Sequence, residues 1–193
     1  MTILVDHVRT GALQQIRVAV EARLHANANP RVLDAPVAIS PAFLTQTFRI
    51  DGDGRHTLVR PKSWSAIVLT GAQPAIATVQ DTRERFIFTG LRLGEFPERV
   101  VHAMTELEEA FALDRRRFRC RFLSLEGGVF SAVCLNARRK PRPYVVVADR
   151  CLLDRDALKV ETNLKSFWAR ARAAATHSSR RTNLLGSAER DEE

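Results

Sequence analysis

Apolar residues recur at helical spacing in three stretches of the chain and at every second position in several others. Leu13, Ile16, Val20 and Leu24 form one stripe, which predicts a helix over 10–26, stopped by Asn27-Ala28-Asn29-Pro30. Pro97 opens a second helix to about residue 114, with Val100, Met104, Leu107 and Phe111 on its inner face. A third is predicted over 154–175, with Asp154 as its cap and Val160, Leu164, Phe167 and Ala171 as its stripe, Trp168 beside it. Strand patterns fall at 43–50, 55–60, 64–70, 75–79, 85–89, 117–125, 129–138 and 144–148. The last is a continuous apolar run, Tyr144 to Ala148, the mark of a strand buried on both faces. Residues 31–41, with prolines at 36 and 41, read as an extended connection.

Strands come in runs and helices come singly. That order predicts an α+β fold, with a mainly antiparallel sheet packed against about three helices, in one domain over 1–175. Residues 176–193 lack a core pattern and are expected to form a disordered tail.

The most explicit local pattern is a hairpin. Glu126-Gly127-Gly128 separates the runs 117–125 and 129–138, and paired glycines supply the positive φ that a tight hairpin turn needs. With Gly127 and Gly128 as the loop, cross-strand partners have position numbers summing to 255. Phe118, Cys120, Phe122 and Ser124 then share the core-facing side with Ser131, Val133, Leu135 and Ala137. The other side carries Arg117, Arg119 and Arg121 in a row, with Arg138 opposite Arg117. Towards the turn it becomes apolar through Leu123, Leu125, Phe130, Ala132 and Cys134.

Charge makes this hairpin the feature to explain. Residues 115–143 hold Arg115, Arg116, Arg117, Arg119, Arg121, Arg138, Arg139, Lys140 and Arg142 against one acid, Glu126. Their sum, +8, equals the formal net charge of all 193 residues. Concentrated charge can act as a site, whereas dispersed charge mainly aids solubility. Arginines two apart on a strand lie about 6.8 Å from each other. They repel by about 0.6 kcal/mol in water, and by about four times that at an effective dielectric near 20. The row therefore faces water or an anion. Nucleic acid carries a phosphate about every 3.4 Å per strand, so every second phosphate can meet one arginine.

Three readings follow. The first is a non-enzymatic binding protein that holds nucleic acid or another polyanion on Arg115, Arg117, Arg119, Arg121, Arg138, Arg139, Lys140 and Arg142. The second is a protein-interaction module or chaperone-like homodimer. In it the same hairpin meets an acidic partner, or the acidic second helix, whose segment 95–114 carries six acids and one arginine. The third is a metal-dependent enzyme built around Asp149, with Asp154, Asp156, Lys159 and Glu161 following it. Simpler accounts compete with all three. Strand arginines also block sheet edges. Twenty-six arginines to four lysines fits the codon usage of a GC-rich genome, for which a bacterial source is the expectation.

No motif commits the chain to a chemistry, and no cofactor is expected. No Cys-x-x-Cys, phosphate loop, dinucleotide fingerprint or Gly-x-Ser-x-Gly occurs. Glu98, His102 and Glu106 stack along the second helix, and a solvated face explains them. Asp51-Gly52-Asp53-Gly54 resembles part of a calcium loop without its later ligands, so it reads as a turn. The hairpin register puts Cys120 and Cys134 on opposite faces, which forbids a bridge between them. With Cys151 making an odd count, the chain fits a reducing cytoplasm. No apolar run approaches the roughly 18 residues that span a membrane, and no membrane partner is expected.

Overall fold

The computed structural model describes residues 2–4, 10–26, 37–59, 62–70, 73–82, 84–136, 142–149 and 158–188. Eleven strands and three helices occur among them. In chain order they are β1 (Thr2–Leu4), α1 (Thr10–Ala26), β2 (Val37–Ile39), β3 (Phe43–Ile50), β4 (His56–Leu58), β5 (Ser63–Thr70), β6 (Gln73–Asp81) and β7 (Phe86–Arg92). Then follow α2 (Glu95–Ala110), β8 (Arg117–Leu125), β9 (Phe130–Asn136), β10 (Tyr144–Asp149), β11 (Val160–Glu161) and α3 (Leu164–Ala188).

One mixed sheet runs β11-β10-β9-β8-β3-β5-β6-β7, with β1, β2 and β4 paired off this path. Most neighbours are antiparallel. The exceptions are the two partners of β8 on the side away from β9: β3 pairs with it in parallel over Leu44–Phe48, and β1 in parallel over Thr2–Leu4. The α+β class holds, with a sheet more mixed than its sequence pattern predicts.

Period-two alternation sorts the side chains between two faces. On one face, Phe43, Ile67, Ile76, Phe118, Phe122, Val133, Val145 and Val147 meet Val100, Ala103 and Leu107 of α2. The opposite face is divided. At one end Ala12, Ile16 and Val20 of α1 cover Leu44, Trp64, Ala66, Val68, Ala75, Ala77 and Val79. At the other, Phe167, Ala171 and Ala174 of α3 cover Phe48, Leu125, Phe130, Ala132, Cys134 and Tyr144. β10 lies between β9 and β11 with both faces packed, which accounts for its unbroken apolar run.

The hairpin has the predicted register. Arg119 pairs with Asn136 and Ser124 with Ser131, position numbers summing to 255. Gly127 and Gly128 both take positive φ, at 82° and 69°, a region that other residues enter only at a cost. The Gly128 N–H donates to the Leu125 carbonyl at 2.8 Å. Glu126 is anchored from β3, where Arg49 donates through Nε (2.5 Å) and Nη2 (2.9 Å) to its two carboxylate oxygens. That fork holds the Glu126 carboxyl below its ordinary range.

The third helix departs from expectation. It starts at Leu164, not near 154, because Val160 and Glu161 form a strand on β10, with Val145 opposite Val160 and Tyr144 opposite Glu161. Val160 accordingly packs with the α2 core and not on the α3 stripe. Residues 150–157, which include Asp154, Asp156 and Cys151, lie outside the described residues. The α3 backbone continues to Ala188, through most of the segment that lacks a core pattern.

Candidate functional site

The arginine row lies in the middle of the sheet. β8 is hydrogen-bonded to β9 on one side and to β3 and β1 on the other, so edge protection is not its role. Leu44 stands beside Arg121, Gln46 beside Leu123 and Phe48 beside Leu125. The row therefore shares the face that carries α1 and α3. Helix α1 packs on β5, β6 and β7, and α3 packs over the turn-proximal half of the hairpin. Arg117 and Arg119 are exposed on the stretch between them, and Arg115 is exposed just before the strand.

Not every basic residue joins the row. Arg116 turns to the other side. Its guanidinium grips Asp114 through Nε (2.9 and 3.0 Å) and Nη2 (2.5 Å), and its carbon lies 5.1 Å from the Phe118 ring centre. Hydrogen bonding to Arg116 pushes the Asp114 carboxyl below its usual pKa. Arg138, Arg139 and Lys140 lie outside the described residues. Arg142 is exposed and returns to the arginine face at the mouth of a cleft.

The apolar half of this face is not a free interface. Leu125 and Phe130 retain 4% and 0% of their exposure, and α3 is what covers them. Nor does the acidic helix neutralise the row, since α2 packs on the opposite face of the sheet. The apolar feature is thus covered within the fold, and the acidic face of α2 lies on the other side of the sheet from the row.

Where the row meets α3 there is a cleft of about 400 Å³, inside the usual range for small-molecule sites. Its apolar walls come from Phe48, Leu58, Leu123, Leu164, Phe167 and Trp168. Trp168 is held edge-on to Phe48 (5.2 Å) and Phe167 (4.9 Å), and His56 of β4 stacks flat on it at 3.8 Å. The polar atoms come from Gln46, Asn136, Arg121 and Arg142. Arg121 is half-buried. Its Nη1 donates to Gln46 Oε1 at 3.3 Å, while its buried Nε has no hydrogen-bond partner among the described residues. Cys134 also borders the cleft. Burial pushes its thiol up to about 11, against the pull of the nearby Arg142 and Arg121 charges. Both guanidiniums thus exert their field at one point on the cleft wall.

Of the carboxylates proposed for a metal, the two among the described residues, Asp149 and Glu161, are already engaged. Arg170 of α3 donates to Glu161 and, through Nε at 3.4 Å, to Asp149. Tyr144 donates to Glu161 at 2.6 Å, and burial with this bond raises its hydroxyl to about 12. Glu161 is therefore not solvent-facing, as its sequence setting suggests. It fastens α3 to the sheet. His102 sits 3.8 Å from Glu106 on an exposed face, and Arg55 pairs with Asp53 at the β3–β4 turn. No group of three or more metal-ligating side chains occurs among the described residues, and no described helix is long and apolar enough to cross a membrane.

Sequence reasoning missed the cleft. Arg121 and Arg142 were candidates, but Gln46, His56, Asn136 and Trp168 were not. No local signal marks them, because His56 and Trp168 meet only through the docking of α3. No protein family, curated protein or solved structure matches the chain.

Proposed function

We propose that this protein binds nucleic acid through the backbone phosphates, on the stretch of β8 that carries the exposed Arg117 and Arg119. The observation that supports this most is the placement of the two side chains. They are exposed, on one face, about 6.8 Å apart by strand geometry, and on a strand paired with β1 beside both residues and with β9 at Arg119. Arg115 extends the track at one end and Arg142 flanks it at the other. An interior strand fixes the spacing of its arginines far better than a loop does, and phosphate contacts reward fixed spacing. No aromatic side chain lies among these exposed arginines, so binding is expected to follow the backbone and carry little sequence preference.

The test is fluorescence anisotropy with labelled duplex and single-stranded DNA and RNA over a salt series, for wild type and Arg117→Ala/Arg119→Ala. Micromolar binding with a steep salt slope is expected. The variant should lose about 1.8 from the slope on duplex and about 1.4 on single strands, from two phosphate contacts. Absence of binding at low salt, or an unchanged slope in the variant, overturns the proposal.

A further inference from the structure

The cleft between α3 and the arginine face differs from the track in one respect: it is mostly apolar and has a single buried cationic edge. We infer that it is a separate site for a small organic carboxylate, whose head group pairs with the guanidinium of Arg121 and whose apolar body lies against Trp168 and Leu123.

The head group follows from guanidinium geometry. Arginine meets a carboxylate side-on through Nε and Nη2, two parallel donors matched to two oxygens. The same protein makes this pair elsewhere: Arg49 uses Nε and Nη2 on the two oxygens of Glu126. In Arg121 one corner, Nη1, donates to Gln46, which orients the guanidinium on the cleft wall. Its Nε is buried and has no partner among the described residues. No carboxylate pairs with Arg121 among the described residues, so a half-buried charge stands uncompensated on the cleft wall, and an anion in the cleft supplies the missing partner. Arg142 and Asn136 line the same cleft and bring a second charge and an amide to it.

The body follows from the walls. About 400 Å³ accommodates a molecule of some ten to fifteen heavy atoms, at about 30 Å³ of space each by comparison with liquid water. Trp168 is clamped by Phe48 and Phe167, so it offers a surface that need not reorganise on binding. His56 stacks on Trp168 from β4, exposed to solvent, and forms the outer lip.

The experiment is isothermal calorimetry and tryptophan fluorescence with 4-phenylbutyrate, octanoate, phenyl phosphate and the neutral 4-phenylbutyramide as probes. The proteins are wild type, Arg121→Met, Arg121→Lys and Arg117→Ala/Arg119→Ala. At least one carboxylate should bind wild type and perturb tryptophan emission, with the amide at least tenfold weaker. Arg121→Met should weaken the carboxylate at least tenfold and Arg121→Lys should restore part of that loss. The Arg117/Arg119 variant should bind it within twofold of wild type, whether or not nucleic acid binds. Equal binding of acid and amide, equal binding by Arg121→Met, or no probe binding at all overturns the inference. Tight phenyl phosphate binding without carboxylate binding overturns the head-group assignment.

Discussion

Replacing Arg121 with methionine should make the protein more stable, although Arg121 lies half-buried in the middle of the sheet. The expectation comes from comparing what the guanidinium loses with what it gains. Its Nε is buried without a partner, and such a group costs about 1–3 kcal/mol. Its one hydrogen bond, to Gln46, is long at 3.3 Å and part-buried, and is worth about 0.5–1 kcal/mol. Gln46 is itself half-buried and can find water when the bond is lost. The methionine stem keeps the contacts of the arginine stem against Leu123 and Cys134 and brings no charge. The net gain is about 1 kcal/mol. At a urea m-value of about 2 kcal/mol/M the midpoint should rise by about 0.5 M, and Tm by about 2–4 °C. Urea unfolding of both proteins, in buffer free of organic anions, followed by far-ultraviolet circular dichroism, measures it. A variant less stable by 1 kcal/mol or more would mean that Arg121 is satisfied within the fold, and the ligand argument built on it would fall. A ligand present at about 100 times its Kd should stabilise wild type by about 2.7 kcal/mol and the variant far less.

Other outcomes follow from the packing around α3. Phe167→Ala removes the ring at the centre of contacts with Phe48, Phe130, Tyr144 and Trp168, and chemical denaturation should show a loss of about 3–5 kcal/mol. Arg170→Met removes the guanidinium that Asp149 and Glu161 share. The cost should be near 3 kcal/mol, the lower end for a broken buried pair, because Arg170 and Glu161 side chains keep 27% exposure. The Cys134 thiol, ordinarily at 9.0, stands near 11 in the fold. Its raised value favours the protonated folded form, so this contribution is complete below pH 9 and is lost as pH rises through 11. Cys134→Ala should flatten the fall in stability over that window, and native Cys134 should resist DTNB until the protein unfolds.

Local pattern reveals a good part of this molecule. Alternation and a Gly-Gly turn are enough to place Arg119 opposite Asn136, because a hairpin's register depends only on its own loop and its two strands. The stripe Ile16–Val20 locates α1 for the same reason. What local pattern cannot supply is the partner across a long loop. β3 joins β8 in parallel from about 77 positions away (Leu44 to Arg121), and this pairing puts the arginines mid-sheet. Val160 and Glu161 fit a helical stripe as well as a strand, and only β10 decides between them. One face of β8 changes from arginine to leucine at position 123. In hindsight that switch marks the edge of the ground covered by α3, but nothing nearby in sequence says that a helix starting at Leu164 covers it. The cleft is invisible for this reason, since its walls come from β3, β4, β8, β9 and α3 together.

The central claim is that phosphates run along Arg117 and Arg119, and the most direct measurement observes those side chains. Arginine Nε–H resonances of ¹⁵N-labelled protein would be assigned by single Arg→Lys variants and followed while a short RNA or DNA strand is titrated in at low salt. The structure-based expectation is that Arg115, Arg117 and Arg119 shift, while Arg49 and Arg116, held by Glu126 and Asp114, stay in place. Shifts confined to other arginines, with Arg117 and Arg119 unmoved at saturation, would contradict it.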